Sequence, residues 1–294
     1  MASPIVSRLQ LLLTALLFST GGAAIKATSL SGWQVASLRS LIAAAAIFLL
    51  VPEARRSWTW KAAVVGVAYA ATLVLYVLAN KMTTAANAIF LQYTAPLYLV
   101  LLGPWLLRER IRRRDIALMA ALAAGMALFF VGRQMPVQTA PDPLAGNVLA
   151  ALSGVSWALT IAGLRWIETG ATAGQPGMSA VVVGNVLAGI FCLPRARPVV
   201  DATAADWGVV LYLGVFQIGL SYALLTRAMR RVPALEASLL MLAEPALNPA
   251  WAWSVQGERP GPLAALGGAL ILIATLVRTV RTTRRKPDRP ERLL

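Results

Sequence analysis

Apolar residues run through this chain in blocks of roughly 17 to 25, parted by short links that carry Pro, Gly, Ser or charge. A helix rising about 1.5 Å per residue needs a block of that length to cross a hydrocarbon layer about 30 Å thick. Ten such blocks are read, at residues 8–29, 33–51, 62–80, 84–107, 115–132, 145–167, 178–194, 207–229, 234–255 and 260–280. Isolated strands would leave backbone groups unpaired in lipid, so the spans must be helices. The expected fold is an all-α integral membrane protein of ten transmembrane helices, with no soluble domain.

Composition agrees: 58% of the residues are hydrophobic and only 13% charged, against about 25% charged in soluble domains. A net charge of +15 raises the question of nucleic acid. The basic residues lie in short loops and in the tail "RTVRTTRRKPDRPERLL", not on one face of a soluble module. Anionic lipid at those loops and that tail is the expected partner, and nucleic acid is not. Cys192 is the single cysteine, and there is no histidine, which removes a disulfide, a CxxC metal site and the commonest proton shuttle. No metal and no cofactor are expected. The opening "MASPIVSRLQLLLTALLFSTGGAA" mimics a secretory signal, but with further spans behind it it is expected to stay as an anchor.

Lys and Arg also orient the chain. Placing the N-terminus in the cytoplasm puts twenty of them on that side and six on the other, with Arg39 inside a span. Both termini are expected in the cytoplasm. Arg39, about 9 Å inward from Trp33, can snorkel to the outer interface or pair with a carboxylate, and snorkelling is expected.

The stretch "FLQYTAPLYLVLLGPWLLRER" and the later "LLMLAEPALNPAWAWSVQGER" have one layout. An offset of 149 aligns Ala85 with Ala234, Pro96 with Pro245 and the pair Glu109-Arg110 with Glu258-Arg259, without a gap. Five helices per half force the second half into the membrane upside down, an arrangement typical of secondary transporters with a midplane site. The expected division is residues 1–136 for the first repeat, 137–281 for the second and 282–294 for a disordered basic tail.

With "APLYLVLLGPWLLRER" and "EPALNPAWAWSVQGER" closing the fourth and ninth spans, the chain resembles the EamA family of the drug/metabolite transporter superfamily. Within that family it is most similar to the bacterial aromatic amino acid exporters. The resemblance implies a ten-helix basket in the bacterial inner membrane, with a central cavity lined by the first, third, fourth, sixth, eighth and ninth helices. It also implies export of amino acids or related metabolites from the cytoplasm. The halves differ at one place, where Glu244 stands opposite Ala95.

Glu244 is the leading candidate, because it lies about 15 Å into the ninth span and directly before Pro245. A carboxylate at that depth costs about 2.5–3.5 kcal/mol and must face water, pair with a cation or be protonated. Gluing a neighbouring helix is the plainer role for it. Glu236, near Arg230 and Arg231, reads as an interfacial ion pair. Thr20, Tyr93, Trp157 and Gln217 share the midplane depth with Gln92. Tyr76 stands seven residues from Tyr69 on one helix face, Tyr222 lies near Gln217, and Asn87 takes the repeat position of Glu236. Thr20, Tyr76, Asn87, Tyr93, Trp157, Gln217, Tyr222 and Glu244 are therefore the expected substrate-binding residues, with Pro96 and Pro245 as kinks or gates.

Aromatic walls with a few hydrogen-bonding groups suit a flat, apolar-bodied zwitterion. The expectation is a monomeric secondary carrier that exports amino acids, aromatic or otherwise apolar, by alternating access. The alternatives are an intramembrane enzyme, a channel or a lipid-handling protein. An enzyme is disfavoured by the absence of HExxH, GxSxG and any histidine.

Overall fold

The structure, a computed structural model, describes residues 4–56, 58–106, 113–131, 137–168, 177–229 and 231–283. Fourteen α-helices, a short 3-10 turn and one π-helical segment make up the described chain, and no strand occurs among the described residues. Eight stretches are long and apolar enough to cross a membrane, and Asp115–Val131 is a shorter apolar helix. Glu109, Arg110 and the tail from residue 284 onward lie outside the described residues.

Several spans are not continuous helices. The first, read as 8–29, is divided at Thr20 into α1 (Pro4–Ser19) and α2 (Gly21–Lys26). There the Thr20 hydroxyl turns back to donate to the Leu17 carbonyl at 2.7 Å. α3 (Gly32–Leu50) starts at a capping box of Ser31 with Gln34, and α4 (Trp60–Met82) follows. The fourth span is α5 (Ala85–Gln92) and α6 (Ala95–Leu106), and it breaks where Pro96 lacks the N–H that would reach the Gln92 carbonyl.

α7 (Arg113–Val131), α8 (Pro143–Glu168) and α9 (Gly177–Ala196) come next. In the following span α10 (Ala204–Leu211) widens into a π-helix, Tyr212–Leu220, before α11 (Ser221–Met229). Pro245 repeats the effect of Pro96: α12 (Ala234–Met241) stops at the carbonyl it cannot reach, and α13 (Ala243–Gln256) begins two residues later. α14 (Pro262–Thr283) closes the described chain. The read span 234–255 is thus two helices rather than one.

α4 packs extensively on α8 and α9, and α9 on α3, while α7 pairs with α14 at one edge. α4 and α9 approach closely because small residues face each other. A Cβ added at Gly184 would lie 2.6 Å from Tyr69 Cδ1 and 2.9 Å from the Gly66 carbonyl oxygen. Gly184→Val is therefore expected to cost about 1–3 kcal/mol by overpacking and to displace Tyr69. Thermal denaturation in detergent would check this, and an unchanged midpoint would remove Gly184 as the spacer of this contact.

At one end of the bundle Gly257, with φ +70, turns α13 back on itself. The turn carries Glu258 inward to Lys26, 2.9 Å away, with both side chains almost fully buried. Glu258 also accepts from the backbone N–H of Ala85, the first residue of α5, at 2.9 Å. The helix-end glutamate of the repeat is thus a buried tie between α2, α5 and α13. At the other end Glu236 pairs with Arg8 on α1, not with the Arg231 beside it in sequence, and Arg230 lies outside the described residues.

Candidate functional site

The helix breaks converge. Between them lies a cavity of about 120 Å³, bounded by α1, α3, α4, the α5–α6 junction, α8, the π-segment, α11 and α13. Irregular backbone at membrane depth is tolerated where it is covered by protein or lines a cavity, and three of the four irregular stretches meet this one. They contribute Gln92 and Tyr93, Gln217 and Ile218, and Glu244.

Six aromatic rings line the cavity: Phe18, Tyr69, Tyr76, Tyr93, Trp157 and Tyr222. They brace one another edge-on. Tyr222 meets Phe18 at 5.6 Å and Tyr69 at 6.1 Å between ring centres, both near-perpendicular, and Tyr69 leans on Trp157 at 6.3 Å. Such contacts fix ring orientation and stabilise by about 0.5–1.5 kcal/mol each beyond burial.

The polar groups are few and mostly held. Tyr93 donates its hydroxyl to Glu244 Oε2 at 2.9 Å, which leaves the rest of that carboxylate facing the cavity. Gln92 donates to Ser153 Oγ at 2.7 Å, and Asn248 donates to Tyr76 Oη at 3.4 Å. Gln217 donates weakly to the Phe18 carbonyl at 3.4 Å, and its own Oε1 is buried without a partner.

Six of the eight residues expected from sequence border this cavity: Tyr76, Tyr93, Trp157, Gln217, Tyr222 and Glu244. Two do not. Thr20 sits at the α1–α2 break with its hydroxyl 2.8 Å from Tyr212 Oη, against a separate lateral recess. Asn87 is 1% exposed and donates to Asn147 Oδ1 at 3.0 Å and Thr83 Oγ1 at 3.1 Å, a polar clamp of α5 to α8. Thr20 has the depth that residue counting gives, but counting does not reveal which way round the helix it points; Asn87, chosen for its repeat position, lies in the first turn of α5, short of the midplane.

Arg39 reverses its expected place. It does not snorkel: it is 2% exposed, and it borders the cavity from α3. The second span thus joins the six helices expected around the cavity. A signal for it was present in the sequence, since Arg39 is the one basic residue the charge tally left inside a span. Phe18 and Thr72 also line the cavity without having been singled out. A larger recess of about 730 Å³ between α3, α4, α8 and α9 is bounded by apolar side chains such as Val74, Leu78 and Phe191. It has the character of a lipid-facing surface.

The EamA-like transporter family model matches this chain twice, over residues 7–131 and 144–280. The chain belongs to the EamA-like transporter family. It is 27% identical over 267 residues to the pseudopaline exporter CntI of Pseudomonas aeruginosa, which covers 88% of this chain and 90% of the relative. It is 24% identical over 212 residues to the threonine/homoserine exporter RhtA of Escherichia coli, covering 70% of this chain and 66% of that one. A solved crystal structure superposes over 96% of this chain and 99% of its own, with a TM-score of 0.63 and 22% identity, a likeness of fold. Like other members of the EamA-like family, this chain is a multi-pass membrane transporter and not an enzyme.

Proposed function

We propose that the protein exports amino acids, aromatic or otherwise apolar, or related small metabolites across the cytoplasmic membrane by alternating access. The observation that carries this reading is the cavity itself: six aromatic side chains around a carboxylate, Glu244, at a helix break. Rings of this kind take the flat body of an apolar solute, and Glu244 takes its ammonium group. The two named relatives are, by their own descriptions, exporters of pseudopaline and of threonine and homoserine, which fits a small-metabolite cargo.

The same proposal holds that ten helices form two inverted five-helix repeats, residues 1–136 and 137–281, with both termini in the cytoplasm. Support comes from the double family match and from matched helix breaks: α5 and α12 begin and end at positions 149 apart. Packing is paired in the same way. α3 lies on α9 and α7 on α14, each the partner of its own equivalent, the fourth span meets the ninth through α5 and α13, and α4 on α8 is mirrored by α11 on α1. Anionic lipid is the proposed partner of the basic cytoplasmic loops and tail.

Purified protein in liposomes is expected to carry labelled phenylalanine, tryptophan, leucine or threonine with saturable kinetics and accelerated counterflow. Flux that never saturates would favour a channel. Absence of flux for every amino acid and related metabolite in a broad panel would defeat the reading.

A further inference from the structure

One buried charge in the cavity wall has no counterpart, and it bears on what the solute must carry. Arg39 lies in a membrane-spanning helix, and its guanidinium stays charged at any physiological pH. Among the described residues its one hydrogen bond runs from Nη2 to the Leu73 carbonyl at a long 3.5 Å. Its Nε donor is buried with no partner. It takes part in neither the Arg8–Glu236 nor the Lys26–Glu258 pair. The other deeply buried cation, Lys26, is satisfied very differently, by Glu258 and by the carbonyls of Thr83 and Thr139. An unpaired guanidinium at this depth is costly unless something from outside the fold meets it.

Arg39 and Glu244 border the same cavity without pairing with each other. A solute bearing both signs would complete both. We propose that Arg39 is the anchor for a carboxylate on the transported solute, so that the site selects molecules carrying a carboxylate as well as a positive group. A guanidinium takes a carboxylate through two parallel N–H donors, a geometry that an amide or ester does not reproduce at full strength. This inference rests on the transporter reading above and narrows it: an amine without an acid group is not cargo.

Three probes separate the two ideas in binding to the purified full-length protein: phenylalanine, phenylalaninamide and 3-phenylpropanoate. Phenylalanine is expected to bind roughly ten- to a hundredfold more tightly than the amide, the span of one charge-assisted contact. In Arg39→Gln the acid is expected to lose that advantage, with the ratio of acid to amide falling to about one. Arg39→Lys should keep part of it. A packing role for Arg39 would weaken all ligands together and leave the ratio unchanged. Equal binding of acid and amide to the unaltered protein overturns the anchor and leaves the transporter reading intact, and needs no variant to fold. Binding of 3-phenylpropanoate with indifference to the ammonium group defeats the zwitterion reading and supports the anchor. No binding of any probe overturns both.

Discussion

Glu244→Gln is expected to lower the flux of an amine-bearing solute by about 10- to 150-fold, the loss of a charge-assisted contact of about 1.5–3 kcal/mol. The substitution keeps the size of the side chain and its acceptor for the Tyr93 hydroxyl, now 2.9 Å from Oε2, so the fold should survive. What disappears is the negative charge that a bound ammonium group meets in a confined site. Tyr93→Phe removes only a neutral donor that orients the carboxylate, and should reduce flux by about 2- to 13-fold. The order of the two effects matters as much as their size. Flux through equal amounts of reconstituted protein gives both. Unaltered transport in Glu244→Gln, or a larger loss in Tyr93→Phe, would return Glu244 to a purely structural part.

The largest stability effect is expected at the opposite end of the same helix. Lys26 and Glu258 are 3% and 5% exposed by side chain, so removing either charge strands the other in a medium that solvates it poorly. Lys26→Met or Glu258→Gln alone is expected to cost about 3–5 kcal/mol. Made together, they strand no charge, and the amide introduced by Glu258→Gln keeps an oxygen for the Ala85 N–H at the start of α5. The double variant should therefore recover most of the loss, a coupling that thermal denaturation of all four proteins in detergent measures. Additive losses would mean that the two side chains act independently. The pair joins α2, α5 and α13 at one end of the bundle.

Much of this was legible in the residues, and what was not has a common cause. Hydropathy marks where apolar helices lie, because the membrane imposes length and polarity on any span. Pro96 and Pro245 mark where two of them break, because a missing N–H acts locally. Depth also follows from residue count, and Glu244, Tyr93 and Gln217, expected by depth, border the cavity. Direction around the helix axis does not follow from count, since neighbouring helices set it. Thr20 has the right depth and faces elsewhere, and Asn87, which the repeat position suggested, lies in the first turn of α5 as part of a polar clamp. Long-range pairing was hidden for the same reason. Lys26 and Glu258 lie in opposite halves of the chain, each looking like an ordinary charge at a helix end, and Glu236 found Arg8 rather than its sequence neighbour. Arg39 was misplaced because a basic residue two turns inside a span usually snorkels, and here α4 and α9 enclose it.

The central claim is that one cavity receives the solute and opens to each side of the membrane in turn. Phe18→Cys tests it most directly, made in a chain whose only natural cysteine, the fully buried Cys192, is replaced by Ala. The Phe18 ring borders the cavity and holds none of its polar groups. A membrane-impermeant thiol reagent would be applied to intact cells and, separately, to inside-out vesicles. The account predicts labelling from both sides, slowed by saturating phenylalanine on either. Labelling from one side only, at a rate that phenylalanine does not change, would contradict it.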